Sequence, residues 1–270
     1  MRLGLSSYAC TWAVGIAGFP PERPMGAMDL LERAASLGVH VAQVADNLPL
    51  DRLSAGELDA FAARAAALGV EIEVGTRGIG PEHLRAYLRL AQRLRSTILR
   101  VVVDTIEHRP DEDEIVETLR ALTPEMERAD VCLAIENHDR HEASTLARII
   151  ERVASSHVGI CLDTTNSLGA LEGPAVVVDT LAPYAVNLHL KDVVVRRANQ
   201  MMGFIIEGRP LGQGQMDIPR ILQKLRALHR DPNCILELWT PPEATLAATI
   251  TKEASWAQAS VEYVRRFIPD

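Results

Sequence analysis

Short β-rich runs recur along the chain and alternate with longer amphipathic stretches. The runs are LGLSSY (3–8), HVAQVA (40–45), EIEVG (71–75), ILRVVVD (98–104), VCLAIEN (131–137), VGICLD (158–163), VNLHLKD (186–192) and CILELW (234–239). Between them lie segments such as MDLLERAASLG, ELDAFAARAAALG and PEHLRAYLRLAQRL, with apolar residues at i, i+3 and i+4. Gly38 and Gly69 close two of these helices directly before a strand, and Gly159 sits at the entry of a third such join. Eight strand–helix units in about 250 residues predict a (β/α)8 TIM barrel of the α/β class, one domain across residues 1–270. The competing doubly wound sheet carries a Gly-rich turn after its first strand, and SSYACTWAVGIAG is not GxGxxG. The one long connection, around residues 193–216 with MMGFIIEGRPLGQGQMD, reads as an active-site loop.

Composition narrows the partners. A 270-residue chain with 47% hydrophobic content can build one sizeable core. Its net charge of −8 argues against nucleic acid or an anionic membrane as the main partner. No apolar run approaches the ~20 residues of a membrane span, and MRLGLSSYAC has no long apolar secretory segment. A cytoplasmic protein is expected. Cys10, Cys132, Cys161 and Cys234 are widely spaced and form no CxxC, which suits buried free thiols in a reducing compartment.

The stretch VCLAIENHDR breaks the apolar pattern, because a run built for burial ends in Glu136. A carboxylate is costly to bury without a partner. In a barrel the C-terminal strand ends converge on one face. Glu136, Asp163, His189 and Glu237 then meet there, from the fifth to the eighth strands. Two Glu, one Asp and one His need a counter-ion, and a divalent cation is the simplest. Three hard oxygens and one imidazole suit manganese first, then magnesium, with cobalt and zinc also compatible. The alternative is an ion-paired polar layer that draws on Lys191, Arg140 or Arg209.

With AIEN, CLDTTN, NLHLKD and LELW at these strand ends, the whole chain resembles the xylose isomerase-like barrels. That superfamily comprises sugar and sugar-phosphate isomerases and epimerases, inosose dehydratase and endonuclease IV type nucleases. The resemblance implies that Glu136, Asp163, His189 and Glu237 bind the metal, as in the ketose 3-epimerases, and that Glu142 touches the substrate. It places Asn166 where those epimerases carry a His. Arg209 lies about one position from their Arg, before RPLGQG where they have PGxG. The family's metal binds a carbonyl and an adjacent hydroxyl of an open-chain sugar and stabilises an enediolate. Glu136 and Glu237 would be the acid/base pair on opposite faces of the substrate.

These readings imply a metal-dependent sugar or sugar-acid isomerase or epimerase, with a homo-oligomer left open. The alternative is a lyase on the same scaffold, which decarboxylates a β-keto sugar acid as 3-oxo-isoapionate decarboxylase does, or dehydrates an inosose. Arg77, Lys191 and Arg209 near one mouth suggest an anionic substrate; alternatively Asp46, Asp104 or Glu73 balance the first two. Tyr8, Trp12 and Trp239 could form an apolar wall against a sugar face, and His138 and Asp139 could orient a ligand. A nuclease would need a His-rich trinuclear zinc site, but only one of the eight histidines falls at a matching strand end.

Overall fold

In the computed structural model, which describes residues 1–269, the eight runs become the strands of a closed parallel barrel. They are β1 (Leu3–Ser6), β2 (Val41–Val44), β3 (Glu71–Arg77), β4 (Ile98–Val102), β5 (Cys132–Glu136), β6 (Val158–Asp163), β7 (Ala185–Leu190) and, last in the chain, β10 (Asn233–Leu236). Between β7 and β10 runs an antiparallel hairpin of β8 (Asp192–Arg197) and β9 (Phe204–Arg209). Helices α1 (Thr11–Val14), α2 (Ala27–Ser36), α3 (Ala55–Leu68), α4 (Pro81–Leu94), α5 (Glu112–Ala129), α6 (Ala143–Val153), α7 (Pro174–Leu181), α8 (Ile218–Ala227) and α9 (Leu246–Val264) complete the strand–helix units. Going round the barrel the order is β1-β10-β7-β6-β5-β4-β3-β2, so strands consecutive along the barrel are neighbours in space.

Local chemistry sets the joints. Ser54 and Glu57 form a reciprocal capping box at the start of α3, and Gly69 ends it in the left-handed region at φ 65°. Pro81 opens α4 and Pro174 opens α7, where a missing N–H costs nothing.

The expected long loop after the seventh barrel strand is largely the β8–β9 hairpin. Its returning strand lies against the exit of β10: a Cβ on Gly208 would stand 1.8 Å from the Trp239 carbonyl oxygen. The turn that follows is gathered by the Asp192 carboxylate, which accepts the backbone N–H groups of Gly212, Gly214 and Met216, each at 2.9 Å. This anchoring carries Ile206, Glu207 and Gly208 over the mouth of the barrel.

The main apolar core lies outside the barrel, between strands and helices; Leu30, Phe61, Leu84, Leu119, Ile149 and Leu222 belong to it. The inward side is different. A small separate cluster of Ile98, Ala134 and Cys161 shares strand faces with Arg100, Glu136 and Asp163. That interior also holds the buried polar residues Gln43, Glu73, Asn187 and His189, beside the branched apolar Val41 and Ile235. A barrel filled this way gives up part of its branched apolar packing for a hydrogen-bonded site. Among the described residues no helix is long and apolar enough to cross a membrane.

Candidate metal centre and active site

Strand register brings the four candidate ligands together. Asp163 on β6 pairs directly with His189 on β7, and Glu136 on β5 pairs with Cys161 on β6. Glu237 lies one residue past β10, and its N–H donates to the Leu190 carbonyl at 3.1 Å. One donor atom from each of Glu136, Asp163, His189 and Glu237 lies within 4.8 Å of the others, and all four residues are buried. Cys161 reaches Glu136 and His189 within the same distance. Burial raises its thiol pKa, so it is a poor thiolate ligand beside three carboxylates.

The imidazole provides the test of whether a cation fits. His189 Nε2 lies 2.7 Å from Gln43 Oε1, an acceptor, so it carries the proton. Nδ1 faces Glu136 Oε2 at 3.3 Å, Glu237 Oε1 at 3.3 Å and Asp163 Oδ2 at 3.7 Å. It is buried and has no hydrogen-bond partner. A lone pair aimed at three carboxylates is satisfied by a divalent ion between them, and the O3N donor set suits a hard or borderline metal.

Two cations enter the same cluster. Lys191 Nζ lies 2.5 Å from Asp163 Oδ2, 2.7 Å from Glu237 Oε2 and 3.2 Å from Asn166 Oδ1. The Arg100 guanidinium donates to Glu136, and also to Asp46 at 2.7 Å. Asn166 Nδ2 donates to Glu136 Oε1 at 2.6 Å, and Ser6 Oγ to Glu237 Oε1 at 2.9 Å. Burial would raise the Glu136 carboxyl, but Arg100, His189 and Lys191 hold it well below the usual range. Against the same burial, His189 and Lys191 lower Glu237. Burial works to strip Lys191 of its proton, and Asp163, Glu237 and Glu136 more than offset it, so the ammonium is retained. The ion-paired layer considered from sequence is therefore present, with Lys191 and Arg100 as its cations. It leaves His189 Nδ1 without a hydrogen-bond partner; against burial, Glu237 and Glu136 raise that imidazole, so it is a cation when no metal lies between them and offers its lone pair when one does.

Above the cluster opens a cavity of about 710 Å³. Tyr8, Trp12 and Trp239 line it beside Arg77, His138 and Asn166. Trp12 is fixed by a 2.8 Å bond from its indole N–H to the Thr240 carbonyl. Trp239 has Lys191 Nζ 5.6 Å from its ring centre. Arg77 leans on Asp46 at 3.2 Å, the balancing partner foreseen for it. His138 Nδ1 meets Asp139 at 2.5 Å. An adjoining hollow of about 540 Å³ shares Arg77 and His138 and adds Arg109 and Arg140, the latter paired bidentately with Asp104.

Two of the sequence candidates lie elsewhere. Glu142 is exposed at the N-cap of α6 and does not line the cavity. Arg209 donates to the Gly208 carbonyl at 2.7 Å and to Glu207 at 3.2 Å; those two neighbours line the cavity, and Arg209 does not. Arg100, Gln43, Glu73 and Ser6 are additions to the site. Arg100 and Gln43 interrupt apolar strand runs, Glu73 alternates with apolar neighbours and Ser6 ends β1; the parity of ILRVVV turns Arg100 to the face of Ile98, away from Leu99 and Val101.

Comparison with known proteins gives the same picture of the fold. Residues 31–267 match the profile of the xylose isomerase-like TIM barrels. The chain is 34% identical to the 3-oxo-isoapionate decarboxylase of Pectobacterium atrosepticum over 264 residues, covering 98% of this chain and 95% of that protein. D-psicose 3-epimerase from Clostridium cellulolyticum H10, solved with D-tagatose, superposes with a TM-score of 0.75 at 15% identity, covering 98% and 99% of the two chains. A xylose isomerase-like TIM barrel protein from Mycobacterium smegmatis, in complex with magnesium, superposes at 0.69 with 16% identity and 97% of each chain covered.

Proposed function

The chain belongs to the xylose isomerase-like TIM barrel family, and from that premise we propose that it is a divalent-metal-dependent lyase that decarboxylates a 3-oxo sugar acid. Glu136, Asp163, His189 and Glu237 hold the ion, with Mn²⁺ the first choice and Mg²⁺ the second. The observation that carries this reading is the engagement of both glutamates. Glu136 accepts from Asn166 and Arg100, and Glu237 from Ser6 and Lys191, so neither has an unengaged oxygen. Epimerisation needs one carboxylate to remove a carbon-bound proton and another to return it. Carboxylates held by buried cations are weak bases. Loss of CO₂ needs no such base. The full-length likeness to a 3-oxo-isoapionate decarboxylase supports the same class of substrate.

In this reading the C–C electron pair moves into the neighbouring carbonyl, CO₂ leaves, and a solvent proton takes its place on carbon. The bound ion supplies polarisation of that carbonyl. Lys191 keeps its positive charge beside the site, where negative charge builds on the oxygen. Trp12 and Trp239 give the departing carboxylate an apolar wall, which favours neutral CO₂ over the anion. Arg77 and His138 at the mouth hold the hydroxylated end.

The second reading, epimerisation through the two glutamates, is favoured by their equal 3.3 Å approach to His189 from different strands. Incubation with Mn²⁺ and a panel of 3-oxo sugar acids and keto sugars in deuterium oxide separates the two. Decarboxylation gives CO₂ and one deuterium at the carbon that lost it. Deuterium exchange into a keto sugar without gas release supports the epimerase instead.

A further inference from the structure

Beneath the ligand cluster lies a second buried polar layer that the reaction does not touch. Gln43 on β2 pairs in register with Glu73 on β3, and Asn187 on β7 with Asn233 on β10. Their side chains converge across the barrel. Glu73 accepts from Gln43 Nε2 at 2.9 Å, Asn187 Nδ2 at 2.8 Å and Asn233 Nδ2 at 2.8 Å. Burial raises the Glu73 carboxyl, and these three donors, with no acceptor among them, oppose that shift.

Gln43 is the connection upward. Its Nε2 also donates to Asn187 Oδ1 at 3.1 Å, so both amide hydrogens meet acceptors. Flipping the amide would set Oε1 against a carboxylate and a carbonyl oxygen, so Glu73 fixes which end of Gln43 points where. The end left over is Oε1, which lies 2.7 Å from His189 Nε2. An acceptor at that atom puts the imidazole proton on Nε2 and the lone pair on Nδ1, the atom that faces the three carboxylates and has no partner.

We propose that Gln43 and Glu73 are positioning residues for the metal: Glu73 orients the Gln43 amide, and Gln43 fixes the His189 tautomer that presents Nδ1 to the ion. Gln43 thus takes the place that a carboxylate or backbone carbonyl commonly takes behind a ligating histidine. The carboxyl group sits one residue farther back, on Glu73, so His189 is oriented without a fourth acidic side chain beside the ligand cluster. The inference rests on the metal reading of that cluster and is independent of which reaction follows.

The test uses the intact protein with Mn²⁺ and Mg²⁺ as probes. Nitrogen–proton NMR of histidine-labelled, Mg²⁺-saturated wild type should show His189 protonated on Nε2, with the proton shifted downfield and slow to exchange. Gln43→Met keeps the size but removes the acceptor, and should weaken Mn²⁺ binding about 10- to 100-fold. Glu73→Gln frees the amide to flip and should weaken binding in the same direction while the Nε2 proton exchanges faster. Circular dichroism checks that each variant is folded. A wild-type spectrum with the proton on Nδ1 overturns the inference, whether or not the variants fold. So does Mn²⁺ affinity unchanged in Gln43→Met. Wild-type protein that binds neither ion removes the metal reading as well, which distinguishes the two failures.

Discussion

Lys191 Nζ lies 2.7 Å from Glu237 Oε2, so a cation at the end of β7 and a carboxylate at the end of β10 form a buried ion pair within the ligand cluster. Breaking a buried pair by removing one partner typically costs about 3–5 kcal/mol, because the other charge is left uncompensated. Lys191→Met should therefore lower the melting temperature of the metal-free protein. It also leaves the carboxylates with less neutralising charge, so Mn²⁺ affinity should rise and added Mn²⁺ should restore much of the lost stability. CO₂ release should fall by at least ~10²-fold even at saturating Mn²⁺, the scale of one lost electrostatic stabiliser. Scanning calorimetry with and without Mn²⁺ reads the first effects. Weaker Mn²⁺ binding in the variant would mean that Lys191 organises the ligands and does not compete with the ion.

The metal itself gives the second prediction. Wild-type protein should retain about one divalent ion per chain through Glu136, Asp163, His189 and Glu237, and an Asp163→Ala, His189→Ala double variant should retain none by elemental analysis. Glu136→Gln and Glu237→Gln keep an oxygen at each position. If those residues only hold the ion, CO₂ release in each variant should recover with excess Mn²⁺. A loss of at least ~10²-fold that persists at saturating Mn²⁺ would mark a proton-transfer group and return the epimerase reading to first place.

How far this was legible from sequence differs between the two layers. The barrel and its ligand face follow from the alternation of apolar runs and amphipathic helices, because each carboxylate lies at or near the end of an apolar run and strand ends converge. The sites of Lys191 and Arg100 follow less directly. Lys191 follows His189 by two residues and so shares its side of the strand, yet its partners, Asp163 and Glu237, depend on how far a flexible side chain folds back. Arg100 interrupts ILRVVV in mid-strand, and its parity alone directs it inward. The Gln43–Glu73 layer joins β2 and β3 to β7 and β10, and such contacts across the barrel leave no local pattern. The hairpin was obscured by glycines that read as loop; Gly208 and Gly214 are needed for close approach to Trp239 and Asp192, not for flexibility.

The mouth cations give a third prediction. Arg77 lines the cavity, whereas Arg209 is turned to Glu207 and its own neighbouring carbonyl. Arg77→Ala should lower kcat/KM roughly tenfold to hundredfold, the equivalent of a charge-assisted hydrogen bond of ~1.5–3 kcal/mol. Arg209→Ala should cost less than tenfold, acting only through the orientation of Glu207. Metal content should be unchanged in both. A larger effect at Arg209 would show that the β8–β9 hairpin closes over bound substrate and brings that side chain in.

The last prediction concerns Glu253 on α9, a buried carboxylate remote from the ligand cluster. It accepts the backbone N–H groups of Trp12 at 3.0 Å and Ala13 at 3.1 Å, and so holds the segment that carries Trp12 into the cavity wall. Burial raises its carboxyl to about 7, against the opposing pull of those N–H donors. An ordinary glutamate in the unfolded chain titrates near 4.3. The folded protein therefore binds this proton more tightly than the unfolded chain does. The associated stability is complete below about pH 4.3 and is lost as the pH rises through about 7. The loss amounts to about 4 kcal/mol, at 1.36 kcal/mol for each pKa unit. Glu253→Gln stays neutral and should not show it. The melting temperature of wild type minus that of Glu253→Gln should thus decrease by several degrees between about pH 4.5 and pH 8, at roughly 2–4 °C per kcal/mol for a chain of this size. Thermal unfolding of the two proteins in parallel over that range checks it. A difference that stays level would show that the backbone donors outweigh burial and keep Glu253 ionised throughout.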